Sequence, residues 1–284
     1  MVSGFLRKMG HKNTNPVSYY LKYVNYEEVG EQSKNSFFSN LKFAENELLL
    51  NQFIGKKIIL KFTNEIRCIE CGRQTPKSYN QGNCYLCFMR LAKNDLCIVK
   101  PETCHFHLGT CREPEWGKIN CFKKHKVYLA NTSGLKVGIT KEEPITNRWI
   151  DQGAMFGIEF LEVASRMDAG IIEKEISKFI SDKTSWQKMI STNSENLDLS
   201  ENKQKIYSTI NKFLKNIEHR ILNTPEIIIN YPILKYPTKK ISWKPQKLKP
   251  IEDTLVGIKG QYLLFENGVF NIRSNSGNQF YLES

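Results

Sequence analysis

The stretch H-K-V-Y-L-A-N-T-S-G-L-K-V-G-I-T-K-E-E-P-I-T-N-R-W-I-D-Q-G, residues 125–153, decides the fold. Val127, Tyr128, Leu129 and Ala130 form a short β-prone run, and residues 135–139 form a second. Between them Asn131, Thr132, Ser133 and Gly134 supply turn chemistry, so the pair reads as a β-hairpin. Pro144 suits a first helical position, where a missing N–H costs nothing. Gly153 can close that helix in the left-handed conformation. The order is strand, turn, strand, helix, with Tyr128 on the first strand, Lys136 and Gly138 on the second and Arg148 on the helix.

Working outward towards the C-terminus, residues 157–164 suggest a third strand through Ile158, Phe160, Leu161 and Val163. Asp168 is placed to cap a helix whose apolar stripe is Ile172, Ile176, Phe179 and Ile180, with Glu173 on its flank. Residues 191–200 are polar and loop-like. The spacing of Ile206, Ile210, Phe213, Ile217 and Ile221 predicts an amphipathic packing helix over 200–222, ended by Asn223, Thr224 and Pro225.

On the N-terminal side lie all eight cysteines, between Cys68 and Cys121. Cys68-x-x-Cys71 and Cys84-x-x-Cys87 are paired knuckles of the kind that closes four thiolates around zinc, with Gly72 and Gly82 suited to the turns. Four thiolates leave no open position, so the site is expected to be structural. A second cluster follows in a segment rich in Pro, Gly and Trp, where a second zinc would act as a staple. Its preferred ligands are Cys97, Cys104, Cys111 and Cys121, with His107 or His125 able to replace one. Buried thiols and satisfied histidines are the alternative for part of this set.

The two ends of the chain read as β. Residues 17–23 are aromatic-rich, 57–62 alternate imperfectly, and 48–50 are an apolar anchor of undecided secondary structure. Residues 255–282 carry glycines at their bends and are expected to pair with 17–62 in one discontinuous β-domain, since neither piece alone makes a stable sheet. Between 231 and 250 lies a Pro-punctuated, acid-free stretch with Lys235, Lys239, Lys240, Lys244, Lys247 and Lys249, interleaved with Tyr231, Tyr236 and Trp243. Cations on phosphates and aromatics on bases suit single-stranded nucleic acid, with Lys239, Lys240, Trp243 and Lys244 the candidates. A solvated linker is the alternative.

Composition agrees with this reading. The formal charge is +12 over 284 residues, which favours a polyanionic partner. No apolar run approaches the roughly 20 residues that span a bilayer, and the first ten residues have no signal core. A cytoplasmic protein with no membrane partner is expected, and a reducing compartment favours metal over disulfides.

The hairpin arrangement resembles the GIY-YIG nuclease superfamily, specifically its divergent members with a K-I-G-like second motif. V-Y-L (127–129) stands at the first motif and Lys136, Val137, Gly138 at the second, continuing into Arg148 and Glu173. Almost the whole chain is similar to the bacterial family called domain of unknown function 2797. The strings that carry this are N-Q-G-N-C-Y-L-C-F (80–88), P-E-T-C-H-F-H-L-G-T-C-R-E-P-E-W-G (101–117), the hairpin, D-K-T-S-W (182–186) and G-I-K-G-Q-Y-L (257–263).

The resemblance implies a magnesium-dependent phosphodiesterase in which Tyr128 is the general base, Arg148 holds the phosphate and Glu173 binds magnesium. A free phenol has a pKa of about 10, and Lys136 across the hairpin is expected to lower it. The first motif has Lys126 in place of its glycine, and the second lacks its tyrosine. Two other readings stand beside the nuclease: a nucleic-acid-binding module that does not cut, and a zinc-stapled scaffold for another protein. The expected architecture is α+β. It comprises a GIY-YIG-like antiparallel sheet with helices, a zinc-ribbon-like lobe and a β-domain drawn from both chain ends. The expected segments are 1–66, 67–124, 125–190, 191–224 and 225–284.

Overall fold

In the computed structural model, which describes residues 1–26, 43–141, 143–180, 185–191, 197–245 and 249–284, the N-terminal part is mostly strand. It contains β1 (Val2–Leu6), β2 (Gly10–Lys12), β3 (Ser18–Tyr26), β4 (Phe43–Leu49), β5 (Lys57–Ile66) and the short helix α1 (Tyr85–Arg90). The middle holds α2 (Leu96–Val99), α3 (Pro114–Cys121), β6 (His125–Asn131), β7 (Leu135–Thr140), α4 (Thr146–Gln152), β8 (Phe156–Val163), α5 (Arg166–Ile176), α6 (Trp186–Met189), α7 (Leu199–Leu214), β9 (His219–Ile221) and β10 (Ile227–Ile228). The chain ends in β11 (Ile251–Lys259), β12 (Tyr262–Phe265), β13 (Val269–Asn271) and β14 (Asn278–Glu283). It divides into two compact units, Met1–Met89 with Tyr231–Ser284, and Arg90–Asn230. The architecture is mixed α and β with antiparallel sheets.

In the first unit, strands from both ends of the chain share one antiparallel sheet, ordered β13-β12-β11-β5-β14-β1-β3-β2, with β4 also on β3. β14 lies between β5 and β1, with Phe280 opposite Phe62 and Val2 opposite Leu282. Met9 is tied to Gln261 through both its N–H (2.9 Å) and its carbonyl (3.3 Å). Of the apolar triplet 48–50, Leu48 and Leu49 end β4, and Leu50, just past it, is the one fully buried. The 231–250 stretch is stitched to the sheet: Thr238 N–H donates to the Glu266 carbonyl (3.0 Å) and Trp243 N–H to that of Val269 (2.9 Å).

In the second unit the sheet order is β10-β8-β6-β7, with β9 also on β8. The β6–β7 hairpin turns where the sequence reading places it, and the Asn131 side chain accepts from Gly134 N–H at 3.2 Å. α4 ends on Gly153 in the left-handed region, φ 71°, as a glycine C-cap allows. A bulge in the β6–β8 ladder puts Val127 opposite Leu161 but Tyr128 opposite Glu159, leaving Phe160 as the extra residue. Phe160 and Leu161 therefore both enter the core, although they are consecutive. That core joins Val127, Leu129, Val137 and Ile139 of the hairpin to α5 and α7.

Four local expectations change. α4 begins at Thr146, not Pro144. α5 is capped by Ser165, whose Oγ accepts from Asp168 N–H (3.1 Å) and donates to the Asp168 carboxylate (2.6 Å). Asp168, at the third position, thus accepts from the cap's hydroxyl and holds that oxygen in place for its own N–H. α5 stops at Ile176, so Phe179 lies outside it and is exposed. α7 stops at Leu214, and His219–Ile221 becomes a strand beside β8. The 3.6-residue apolar spacing carried on past the point where pairing to a sheet edge took over. Half of the polar segment 191–200, the first three residues of D-K-T-S-W (182–186) and Lys247 lie outside the described residues.

Candidate metal centre and hairpin cluster

The first site is built by two knuckles at the end of β5. Cys68 N–H donates to the Arg73 carbonyl (2.9 Å) and Gly72 N–H returns to the Cys68 carbonyl (3.0 Å), which folds Cys71 back towards Cys68. Gly72 (φ 71°) and Gly82 (φ 114°) take backbone conformations that other residues resist. A Cβ on Gly82 would meet Ile69 at 2.6 Å, so the second knuckle also needs glycine for close approach. Cys84 precedes α1 and Cys87 lies within it, and Cys84 N–H points at the Cys68 sulfur, 3.2 Å away.

All four thiols are buried, and their sulfurs lie within 4.8 Å of one another. The Cys71 and Cys84 sulfurs are 3.8 Å apart. A tetrahedral ion with metal–sulfur bonds of about 2.3 Å requires a sulfur spacing of about 3.8 Å. The residues fit a structural metal ion. Burial, followed by the charge of Cys68, drives the Cys87 thiol far above its ordinary pKa. Binding a cation there releases protons.

The second cysteine cluster gathers in the other unit. Cys97, Cys104, Cys111 and Cys121 line one cavity of about 20 Å³ and are half-buried. Burial first, then Asp95 and the charges of Cys104, Cys121 and Cys111, push the Cys97 thiol up to about 11. Asp95, Cys97 and His105 also present ligand atoms within 4.8 Å of one another. The histidine on the cavity wall is His105, not His107 or His125. His125 is fully buried at the start of β6 with Nδ1 on the Lys123 carbonyl (2.7 Å), and burial pushes its pKa down to about 4.

On the hairpin, Tyr128 and Gly138 are direct partners, and Lys136 sits opposite Ala130 on the same face. α4 covers that face: Trp149 meets the Tyr128 ring edge-on (5.9 Å, 68°) and lies against Gly157. Tyr128 is fully buried, and its hydroxyl donates to Gln152 Oε1 at 2.7 Å. Burial raises its pKa to about 12; Arg148, by charge and hydrogen bond, pulls the other way, and Glu173 adds to the rise.

Tyr128, Arg148 and Glu173 thus share one electrostatic neighbourhood, and Arg166 feels both Arg148 and Glu173. The cation acting on the phenol is Arg148, on the covering helix. The phenol's acidity is weakened, where the sequence led us to expect strengthening by Lys136. Lys126 pairs with Glu143 and with Glu159 (2.9 Å). Gln152, Glu159 and Arg166 were not singled out in the sequence. Gln152 stands four residues after Arg148, a helical spacing that could have flagged it.

In the first unit Lys239, Lys240 and Lys244 are exposed. Trp243 is not beside them as a free platform: its ring packs on Phe265 (centroids 5.2 Å) and over Gly268, where a Cβ would come within 2.6 Å.

The site and fold define a mixed α and β protein with a buried four-cysteine group fitted for a metal ion. The chain belongs to the family described as Protein of unknown function (DUF2797), whose model matches residues 55–280. Comparison with curated proteins and with solved structures gives no match. Among the described residues no helix is long and apolar enough to cross a membrane.

Proposed function

We propose that this is a zinc-containing nucleic-acid-binding protein whose hairpin region is a divergent GIY-YIG-like phosphodiesterase domain. The observation that carries the reading is the grouping of Tyr128 with Arg148 and Glu173, three residue types suited to a base, a phosphate clamp and a magnesium ligand. The +12 charge supports a polyanionic substrate. Cys68, Cys71, Cys84 and Cys87 hold zinc, whose bond length matches their sulfur spacing. Lys136 lies on the Tyr128 face, and Lys239, Lys240 and Lys244 offer exposed phosphate contacts.

Magnesium held by Glu173 would stabilise the leaving oxygen. Arg148 neutralises the phosphate. At rest the Tyr128 hydroxyl keeps its proton and donates a hydrogen bond to Gln152, and it can accept a proton only as phenolate. With a pKa of about 12, cutting should accelerate about tenfold per pH unit from 7 to 9, because the phenolate fraction rises so.

A second reading, binding without cutting, is favoured by one observation: the Tyr128 hydroxyl is fully buried beneath α4. Incubation with single- and double-stranded DNA and RNA, with and without magnesium, decides between them. The nuclease reading expects magnesium-dependent cutting, abolished by Tyr128→Phe and by Glu173→Gln with folding and binding retained. Tight, salt-sensitive binding with no cutting leaves the binding module, and neither result leaves the protein-interaction scaffold.

A further inference from the structure

Cys97, Cys104, Cys111 and Cys121 come from four separate short pieces of chain. Cys97 lies in α2, Cys104 follows the 3-10 turn Pro101–Thr103, Cys111 follows the turn Phe106–Leu108, and Cys121 ends α3. Little regular structure brings them together, yet all four line one cavity of about 20 Å³, room for a single ion or water. α3 closes over it, since a Cβ on Gly117 would stand 3.4 Å from the Cys111 sulfur and 3.3 Å from the Phe106 ring. We propose that these four thiols form a second structural zinc centre, independent of the first, which fastens α5 to the cysteine-rich segment.

In the competing ligand set, Asp95 with Cys97 and His105, whose ligand atoms lie within 4.8 Å of one another, Asp95 and His105 already hold hydrogen-bond partners. Asp95 Oδ2 receives Arg112 Nε at 2.7 Å and lies 3.5 Å from His105 Nε2, while His105 Nδ1 pairs with Thr110 Oγ1 at 2.7 Å. These bonds brace the loop around the thiols, the part that outer partners play at metal sites. A zinc ion with four thiolates carries two net negative charges. Arg166 and Lys141 supply positive charge next to Cys121.

Arg166 also ties the centre to α5. As the first residue of that helix, it donates from Nη2 to the Ile98 carbonyl at 2.6 Å, one residue after Cys97. One turn on, α5 runs so close to Pro101 that a Cβ on Gly170 would lie 2.4 Å from the proline ring. Loss of the metal would therefore release the helix that carries Glu173. The centre itself does not depend on the nuclease reading, and its tests read metal and backbone protection, not activity.

The experiment is elemental analysis and cobalt substitution of the full chain. Two metals per chain are expected, falling to one in Cys104→Ser/Cys111→Ser and to one in Cys68→Ser/Cys71→Ser. The tetrahedral cobalt–thiolate absorption should drop by about half in each. Asp95→Asn and His105→Gln should keep both metals. In the Cys104/Cys111 variant, amide exchange across residues 166–176 should quicken by at least about tenfold. One metal in the wild type overturns the proposal, as does loss of a metal in Asp95→Asn or His105→Gln. Unchanged exchange in α5 overturns the fastening role. If the serine variants fail to fold, the wild-type stoichiometry and the Asp95 and His105 variants still decide.

Discussion

Tyr128 lies directly over Gly138, so that a Cβ on the glycine would come within 2.4 Å of the tyrosine hydroxyl oxygen and 2.5 Å of the carbon that bears it. Tyr128 and Gly138 are thus one packing unit across the hairpin. The glycine makes room for the phenol to lie flat beneath α4 and reach Gln152.

Gly138→Ala should therefore destabilise the fold by about 1–3 kcal/mol, the usual cost of overpacking a fixed core. The cost should largely vanish in a Tyr128→Leu background, which removes the atoms that clash. Denaturant unfolding of the two single variants and the double variant gives the coupling. Equal costs in both backgrounds would show that the contact does not set the packing.

Removing the first metal should be far more damaging. A structural four-thiolate site contributes on the order of 10 kcal/mol. Cys84→Ser is expected to lose one metal per chain and to melt well below the wild type. Elemental analysis with thermal unfolding reads both. An unchanged melt would mean that burial alone holds the knuckles.

The Ser165 cap on α5 gives a smaller, cleaner effect. Ser165→Ala removes the acceptor for Asp168 N–H and should cost about 1 kcal/mol. Ser165→Asn, which retains a capping oxygen, should recover most of it in the same unfolding assay.

Lys259 offers a test in pH. It is 1 % exposed beneath the Tyr231 ring, and burial pushes its pKa down to about 8 from 10.5. Between those values the unfolded chain binds the extra proton, so stability should rise as pH rises from 8 to 10.5. Below pH 8 both states carry the charge and the full penalty, about 3 kcal/mol, applies. Lys259→Met should therefore be the more stable protein at pH 7, with its advantage shrinking across that window. Parallel melting curves for the two proteins over the whole range would exclude a buried, depressed lysine.

Local order was legible wherever chemistry and spacing fall within a few residues. Asn131 to Gly134 could only turn, Gly153 was free to end a helix in the left-handed region, and two C-x-x-C pairs had to meet. The hairpin, α4 and the four-cysteine group follow from such short-range constraints, which a neighbour in space cannot easily overrule. The apolar spacing of α7 was equally visible, but its end was not. No glycine or proline marks Leu214, and Ile217 and Ile221 kept the helical rhythm going.

Only the tertiary structure settled the rest. Whether 219–221 is helix or strand depends on the open N–H and C=O groups along β8, far away in sequence. β14 enters between β5 and β1 because each needs a partner that local sequence cannot supply. The state of Tyr128 is also a matter of surroundings: its identity was plain, but burial under Trp149, with Arg148 and not Lys136 as its cation, raised a pKa expected to fall. The sequence by itself determined residue types, turns and ligand spacing, because these are local. Pairing partners, burial and the field at a buried group are sums over residues distant in the chain, so only the folded arrangement decides them.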